Sequence, residues 1–303
     1  MNRLDAVMTY FTEKELEHQK CKLLKIDLPE ISVHRRLIPV SYDTPAGAES
    51  ISYDEIETIG KAVTGSLKTT NIPNSTVIRR SYSYSPENIM AAYEYTVDEI
   101  DSARLSGKNL PQARLFSAKE SLLIKEKNLV MFGKANTDMY GLLNNPSVPS
   151  LDVADNGSGS TKWKNKTPNQ IIDDITNMFT TIKEETKLVE FADTLLVPVS
   201  QYNMLLKPRS DSSDTTIMNL VLNAVPELKT IMPIYDCKGA GEDDKNIAFA
   251  YRRNPYKLEM DILLDSQILP VQWTNFVGKV PMRTKFGGVK FYKPLSAMIG
   301  VGI

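Results

Sequence analysis

Residues 110–144 read LPQARLFSAKESLLIKEKNLVMFGKANTDMYGLLN. Apolar residues recur every seven positions in this segment, as the pairs Leu115/Phe116, Leu122/Leu123 and Leu129/Val130. The period predicts an amphipathic helix that begins with Pro111 in its first turn, where the missing N–H is tolerated, and ends before Gly133. Such a helix is about 33 Å long. Lysines and glutamates, Glu126 among them, fill the side that this pattern assigns to solvent.

The segment before this helix has the composition of strands and turns. Thr, Ser, Tyr, Ile and Val alternate with glycines and prolines over residues 37–85. A strand over residues 77–84, VIRRSYSY, places arginine, serine or tyrosine on both of its faces, so neither face is apolar enough for a domain core. The sequence predicts a β-ribbon that leans on another surface, with an edge hairpin of the same domain as the alternative.

Residues 1–36 have one short apolar stripe, which is followed by Lys- and Glu-rich sequence. The stripe consists of Leu4, Val7, Met8 and Phe11. A helix of three turns cannot bury a core alone, so these residues are expected to form an arm that docks on its own body or on a neighbour.

The second half of the chain predicts alternating helices and strands. Residues 167–170, TPNQ, form a capping box with proline at the first helical position, and a helix follows. Residues 193–200 predict a short buried strand, and residues 217–224 a helix that Pro226 stops. Residues 258–264 alternate like a strand with one buried face and with Asp261 on its polar face. Two further strands, at 287–294 and 298–303, are expected at the C-terminus.

Charge and hydropathy exclude several classes of protein. The chain has 303 residues, and its 36 Lys and Arg against 37 Asp and Glu give a formal net charge of −1. A dedicated nucleic-acid binder would need a basic field that this balance does not supply. The first twenty residues lack a signal-peptide core, and no apolar run approaches the roughly 18 residues that span a bilayer. We therefore expect a cytosolic protein with no membrane contact.

Histidine and cysteine usage argues against catalysis. The only histidines are His18 and His34, both in the arm, and the two cysteines, Cys21 and Cys237, lie far apart. Histidine-based triads, histidine zinc sites and CxxC metal knuckles are therefore not expected. Free thiols are the expected state of both cysteines. We predict no catalytic residue, no cofactor-binding residue, no metal site and no cofactor.

Several partial motifs are better explained as surface structure. Residues 60–66 hold phosphate-loop residue types in the wrong order. Residues 152–160 resemble a calcium loop weakly but lack its second oxygen ligand and its final glutamate, so a flexible Gly/Ser loop is expected. The acid pairs Asp173/Asp174 and Asp243/Asp244 are adjacent in sequence, so their side chains point apart and are expected in solvent.

The order of these elements resembles the major capsid proteins of tailed bacteriophages, with the Hong Kong 97-type fold. The matching segments are residues 110–114 at the start of the long helix, Phe132-Gly133 at its end and Tyr140 to Asn144 after it. Thr194 to Pro198 with Tyr202, and Arg283 with Pro294-Leu295, also match. The resemblance extends over essentially the whole chain and depends on the order of the motifs, because no single motif is diagnostic.

The resemblance implies an α+β chain divided into four parts. These are an N-terminal arm (1–36), an extended β-hairpin loop (37–85), a peripheral domain with the long spine helix (86–190, completed by 271–303) and an axial α/β domain (191–270). Some relatives carry a fused scaffolding region before the arm. Here the arm starts at Met1, which implies a separate scaffolding protein or none. Lys61 and Lys68 lie in the extended loop, and no covalent crosslink is expected from either.

The resemblance also implies a function. The chain is expected to be the head protein of a tailed double-stranded DNA phage, forming homopentamers and homohexamers of an icosahedral shell. Its partners would be copies of itself, portal, scaffolding or decoration proteins, and packaged DNA contacted without sequence specificity. It would reside in the virion, and in the host cytoplasm during assembly. One alternative is an encapsulin-like nanocompartment shell of the same fold, and a remote one is a hydrolase that needs no histidine.

Overall fold

The computed structural model describes residues 32–64, 73–106, 110–135, 137–210 and 215–303. The predicted stripe of the arm, Cys21 and Lys68 lie outside these residues. The helices are α1 (Val33–Leu37), α2 (Val97–Ser106), α3 (Leu110–Phe132), α4 (Pro168–Glu185), α5 (Val199–Leu205) and α6 (Ile217–Ala224). The strands are β1 (Val40–Ser41), β2 (Ile51–Ile59), β3 (Thr76–Tyr84), β4 (Glu87–Thr96), β5 (Ser150–Asp152), β6 (Thr194–Val197), β7 (Thr230–Pro233), β8 (Ile247–Tyr251), β9 (Leu258–Ile268), β10 (Gln272–Thr274), β11 (Val277–Phe291) and β12 (Ala297–Val301).

The long helix α3 has the predicted bounds, and its end is closed by the residues that follow it. Gly133 has a φ of +66°, and a Cβ there would lie 2.1 Å from the carbonyl oxygen of Met139, so only glycine fits this turn. The N–H groups of Leu142 and Leu143 donate to the carbonyls of Val130 and Met131 at 2.7 and 3.0 Å. These bonds pair carbonyls that every helix end leaves without a partner.

The asparagine of the same GLLN segment completes this cap. The Asn144 Nδ2 donates to the Phe132 carbonyl at 2.7 Å, and its Oδ1 accepts the Gly141 N–H at 2.8 Å. This segment, one of the motifs on which the family resemblance depends, therefore terminates α3 and turns the chain back along the last turn of the helix.

The first sheet is built around the fifteen-residue strand β11. Its two long neighbours, β4 and β9, both run antiparallel to it, β10 pairs with its beginning, and β1 lies parallel to β9 at the edge. Helix α3 packs against this sheet. Leu122, Leu129 and Val130 of α3 are buried in one core with Ile89 of β4 and Phe286 of β11.

The second sheet has the order β5-β12-β8-β6-β7 and is covered by helix α4. All residues of β6 and β8 are buried, as expected for central strands with both faces covered. The predicted capping box of α4 is present, since the Gln170 N–H donates to the Thr167 hydroxyl while the Gln170 side chain accepts from the Thr167 N–H. Ile175, Met178 and Phe179 place the apolar face of α4 on this sheet.

Strands β2 and β3 form a separate two-stranded sheet, which we call the ribbon. They pair antiparallel from Ile51 opposite Tyr84 to Ile59 opposite Thr76. Most side chains of both strands are exposed or half-buried, and Ile51 is the buried exception at the base. The prediction that neither face of residues 77–84 belongs to a core is confirmed.

Each of the two sheets takes strands from more than one of the expected domains. Helix α4, expected with the peripheral domain (86–190), packs on the second sheet. Strand β9, expected with the axial domain (191–270), pairs with β11 in the first sheet. Strand β12, expected to complete the peripheral domain (271–303), pairs with β8 and β5 in the second. The sheet that each of these elements joins depends on pairing between strands that are far apart in the sequence. Dividing the sequence into consecutive domains cannot predict this pairing.

Several side chains depart from the predicted helix and strand faces. Phe116, predicted in the apolar stripe of α3, is 48% exposed, whereas Glu126, assigned to solvent, is buried. Asp261 and Asp174 are also buried, against the expectation of a polar strand face and a solvated acid pair. Each buried acid has a cationic partner, as described below. Among the described residues, no helix is both long and apolar enough to cross a membrane.

Candidate functional site

The described residues do not bring His, Cys, Asp and Glu side chains together in a metal-binding group of three or more. Cys237 is fully buried, and burial raises the pKa of its thiol far above the usual range. Residues 152–160 form a loop held by its own side chains, in which Asp155 Oδ1 accepts the Gly157 N–H and Asn156 Oδ1 accepts the Ser158 N–H. The acid pair at 243–244 is exposed, as expected.

Asp174 departs from the expectation because it is part of the core of the second sheet. Its Oδ2 accepts the indole N–H of Trp163 at 2.9 Å and the ammonium of Lys166 at 2.5 Å. Trp163 and the Lys166 side chain are themselves buried. The cluster anchors the short segment before α4 to that helix, and this packing role accounts for it.

The ribbon is a feature that the hydrophobic cores of the described residues leave uncovered. Ile56, Val77 and Ile78 are 65%, 58% and 39% exposed on it. Its charges pair across the two strands: Arg79 binds Asp54, and Arg80 lies 3.2 Å from Glu57. A two-stranded ribbon is marginally stable alone, and exposed apolar side chains on it mark a surface for contact with another protein.

The root of the ribbon is fixed to the end of strand β11. The ring of Tyr53 packs edge-on against Tyr292, with 4.9 Å between the centroids, and stacks on Tyr82 at 5.1 Å. Lys293 reaches Glu55 at 2.5 Å. These contacts hold the beginning of β2 and the end of β3, so the ribbon leaves the body in a defined direction while its far end stays exposed.

A buried ion pair lies directly beneath this root. Lys290 of β11 binds Asp261 of β9, and both side chains are nearly inaccessible to solvent. The ammonium also lies 4.7 Å from the centroid of the Tyr84 ring. Burial raises the pKa of Asp261 to about 6, with Glu259 adding to the effect, and lowers that of Lys290 to about 8.

A second charge cluster joins the first described helix to the middle of α3. Glu126 accepts from His34 at 2.8 Å and from the Arg35 guanidinium at 2.8 and 2.9 Å. Arg35 also reaches Asp265 of β9 at 3.1 Å. Residues 33–36, expected to be the end of the arm, thus tie together helix α3 and the first sheet. His34, which the sequence assigns to an arm that docks on its own body or on a neighbour, is buried in the body of its own chain.

These features define a capsid subunit of the Hong Kong 97 type, with a ribbon, a spine helix and two sheets. The fold class predicted from the sequence is confirmed by the solved structures described next. The chain belongs to the major capsid protein family, whose model matches residues 60–303. It is therefore a structural subunit of a capsid, and the encapsulin-like alternative is not favoured over this function.

Solved structures of capsids and related particles share the fold at low sequence identity. The capsid of the Myoviridae phage XM1 superposes with a TM-score of 0.82 at 18% identity, covering 97% of this chain and 99% of that one. The native GTA particle capsid has a TM-score of 0.66 at 8% identity, covering 98% and 99%. A virus-like particle from Pyrococcus furiosus has a TM-score of 0.56 at 13% identity, covering 88% and 90%. No curated protein matches the chain.

Proposed function

We propose that this chain builds the icosahedral head of a tailed double-stranded DNA phage from homopentamers and homohexamers. The ribbon supports this proposal best, because β2 and β3 extend apolar and aromatic side chains that the chain's own cores do not cover. In a closed shell, copies of the same subunit would cover them. Each copy then contributes modest contacts that add up around the symmetric surface.

The two sheets suggest how the subunit is divided into domains. We assign the first sheet with helix α3 to the peripheral domain, and the second sheet with helix α4 to the axial domain. This assignment adjusts the sequence-based boundaries, since β9 joins the peripheral domain and β12 the axial one. We assign the ribbon to the extended loop and residues 1–36 to the arm.

The near-neutral net charge of the chain fits a shell that encloses DNA without binding it tightly. A formal net charge of −1 gives no overall attraction to packaged DNA, so contact with it is weak, screened by salt and independent of sequence. A strongly basic wall would oppose release of the genome. Portal, scaffolding and decoration proteins complete the set of proposed partners. The proposed locations are the virion and, during assembly, the host cytoplasm, and the role is structural, without catalysis.

A truncated ribbon tests this function. Residues 56–79 are replaced by Asn-Gly, a two-residue turn that joins Glu55 to its cross-strand partner Arg80 and keeps the root contacts of Tyr53, Glu55 and Tyr82. Because both hydrophobic cores lie outside the deleted residues, we expect an unchanged helical circular dichroism spectrum. Electron microscopy should show closed particles for the full chain and none for the truncated chain. Closed particles of normal size from the folded truncation would contradict the proposal.

A further inference from the structure

An open groove of about 880 Å³ runs beside the ribbon root and has an unusual lining. Tyr42 and Tyr256 are 59% and 84% exposed in it, next to the carboxylates of Asp43 and Glu259. Among the described residues, neither of these two carboxylates forms a salt bridge, whereas Asp54 and Glu55 of the same wall are paired with Arg79 and Lys293. The groove thus combines aromatic surface with uncompensated negative charge.

The two carboxylates repel each other. Burial raises the pKa of Glu259, and the charge of Asp43 adds to the effect. A cationic side chain in the groove would relieve this repulsion. Lysine suits such a surface because its ammonium binds carboxylates or tyrosine faces while its aliphatic stem covers apolar area.

The chain itself contains a segment of this chemistry. Residues 18–25 read HQKCKLLK, with three lysines, two leucines and no acid. We propose that residues 18–25 of the arm dock in the groove beside the ribbon root of their own chain. Lys20, Lys22 and Lys25 would meet the carboxylates of Asp43 and Glu259, which lack a cationic partner among the described residues, and Leu23 and Leu24 would meet the tyrosine surfaces.

The length of the intervening chain permits this docking. Residue 25 can reach about 23 Å from Ser32 when extended, at roughly 3.3 Å per residue. Ser32 is separated from Pro39, at the edge of the groove, by the short helix α1 and three linking steps, a span of about 17 Å at most. A tether of this length holds the segment at roughly millimolar effective concentration, so modest contacts suffice.

A disulfide experiment tests the docking in the full chain. Cys21 lies in the centre of the segment, and Cys237 is fully buried and unreactive. Tyr256→Cys puts a thiol in the groove, and Phe276→Cys is the matched control, because Phe276 is 77% exposed just before the opposite end of β11. Mild oxidation, non-reducing electrophoresis and peptide mass spectrometry then give the yield of each disulfide.

We expect an intrachain disulfide between Cys21 and position 256 in about tenfold higher yield than with position 276, as tethering into the groove requires. Asp43→Lys should lower this yield, and Asp43→Lys combined with Lys22→Glu should restore it. Equal yields at the two positions would overturn the proposal. A disulfide that joins two chains at position 256 would overturn it as well, because the occupant would then be a second copy.

Discussion

His34 Nε2 lies 2.8 Å from Glu126 Oε1, and neither side chain is accessible to solvent. Glu126 sits four residues after Leu122 and four before Val130, so helix geometry alone puts it on the buried face of α3. Its charge is tolerated there because Arg35 binds both carboxylate oxygens. The beginning of the described chain is therefore held to the centre of the spine helix by a desolvated ion pair.

Glu126→Ala should be strongly destabilising. The substitution leaves the Arg35 charge and the His34 ring without their shared partner, and removing one member of a buried pair costs about 3–5 kcal/mol. The measurement is the urea midpoint of the unassembled subunit. Lys125→Ala, at the neighbouring exposed position of α3, is the control and should change stability by no more than about 0.5 kcal/mol. Similar midpoints for the two variants would show that Glu126 is not a structural anchor.

The Arg35 cluster should also shape stability in acid. Burial raises the pKa of Glu126, but hydrogen bonds from His34 and Arg35 outweigh it and leave the pKa below its usual range. The Arg35 hydrogen bond likewise lowers the pKa of Asp265. Carboxyls with lowered pKa stabilise the fold fully above the unfolded-state pKa of about 4, and this contribution is lost as the pH falls through the folded value.

Arg35→Met should therefore reduce the loss of folding stability that accompanies a fall in pH. Urea midpoints between pH 7 and pH 3 should fall less steeply in this variant than in the unaltered chain, so that the two curves converge in acid. Arg104→Met is the matched control, since Arg104 pairs with Asp101 on the exposed surface of α2. Its curve should follow that of the unaltered chain. Parallel curves for Arg35→Met would mean that other groups govern acid unfolding.

Local patterns in the sequence predicted helices α3, α4 and α6 and strands β3, β6, β9 and β12, whereas α2, β4, β7 and β8 were not predicted. The seven-residue period from Leu115 to Val130, the proline in the first turn and Gly133 gave the bounds of α3. The Thr167 capping box gave the start of α4. These signals depend on interactions between residues close in the sequence, and tertiary packing does not override them. The assignment of β9 and β12 to sheets was not predictable, because strand pairing joins residues that are far apart in the sequence.

The buried charges were missed for one common reason. Glu126, Asp174 and Asp261 were placed in solvent by residue type, although Glu126 has apolar residues four positions away on either side. Each is buried against a cation, Arg35, Lys166 or Lys290. For Glu126, its position in the apolar repeat of α3 was the sequence signal that could have predicted its burial. The identity of its partner, 91 residues away, was not available from any local pattern.

Asn144→Ala should loosen the end of the spine helix. The side chain closes the last turn with one hydrogen bond to the Phe132 carbonyl and one from the Gly141 N–H, and losing both costs about 1–2 kcal/mol. Amide hydrogen exchange at residues 141–143 should accelerate in the variant. Asn128→Ala, at an exposed position in the same helix, should leave both stability and exchange unchanged. Unchanged exchange in Asn144→Ala would show that the backbone bonds of Leu142 and Leu143 suffice.

The ion pair of Lys290 with Asp261 should behave non-additively. Lys290→Met alone leaves a buried carboxylate beneath the ribbon root without its cation, which costs about 3–5 kcal/mol. Asp261→Asn alone leaves the ammonium without its anion, although the Tyr84 ring still faces it, so a smaller loss is expected. The double variant removes both charges and with them the desolvation cost of the pair.

A double-mutant cycle on urea midpoints measures this coupling. The double variant should be more stable than Lys290→Met alone, because Asn in place of Asp261 is neutral and no unpaired charge remains in the core. The pair formed by Lys279 and Glu94 on the exposed part of the first sheet, at 3.2 Å, serves as the comparison, and its coupling should not exceed about 1 kcal/mol. Additive losses at Lys290 and Asp261 would mean that the two charges do not depend on each other, and that the ribbon root is held by the contacts of Tyr53 and Glu55 alone.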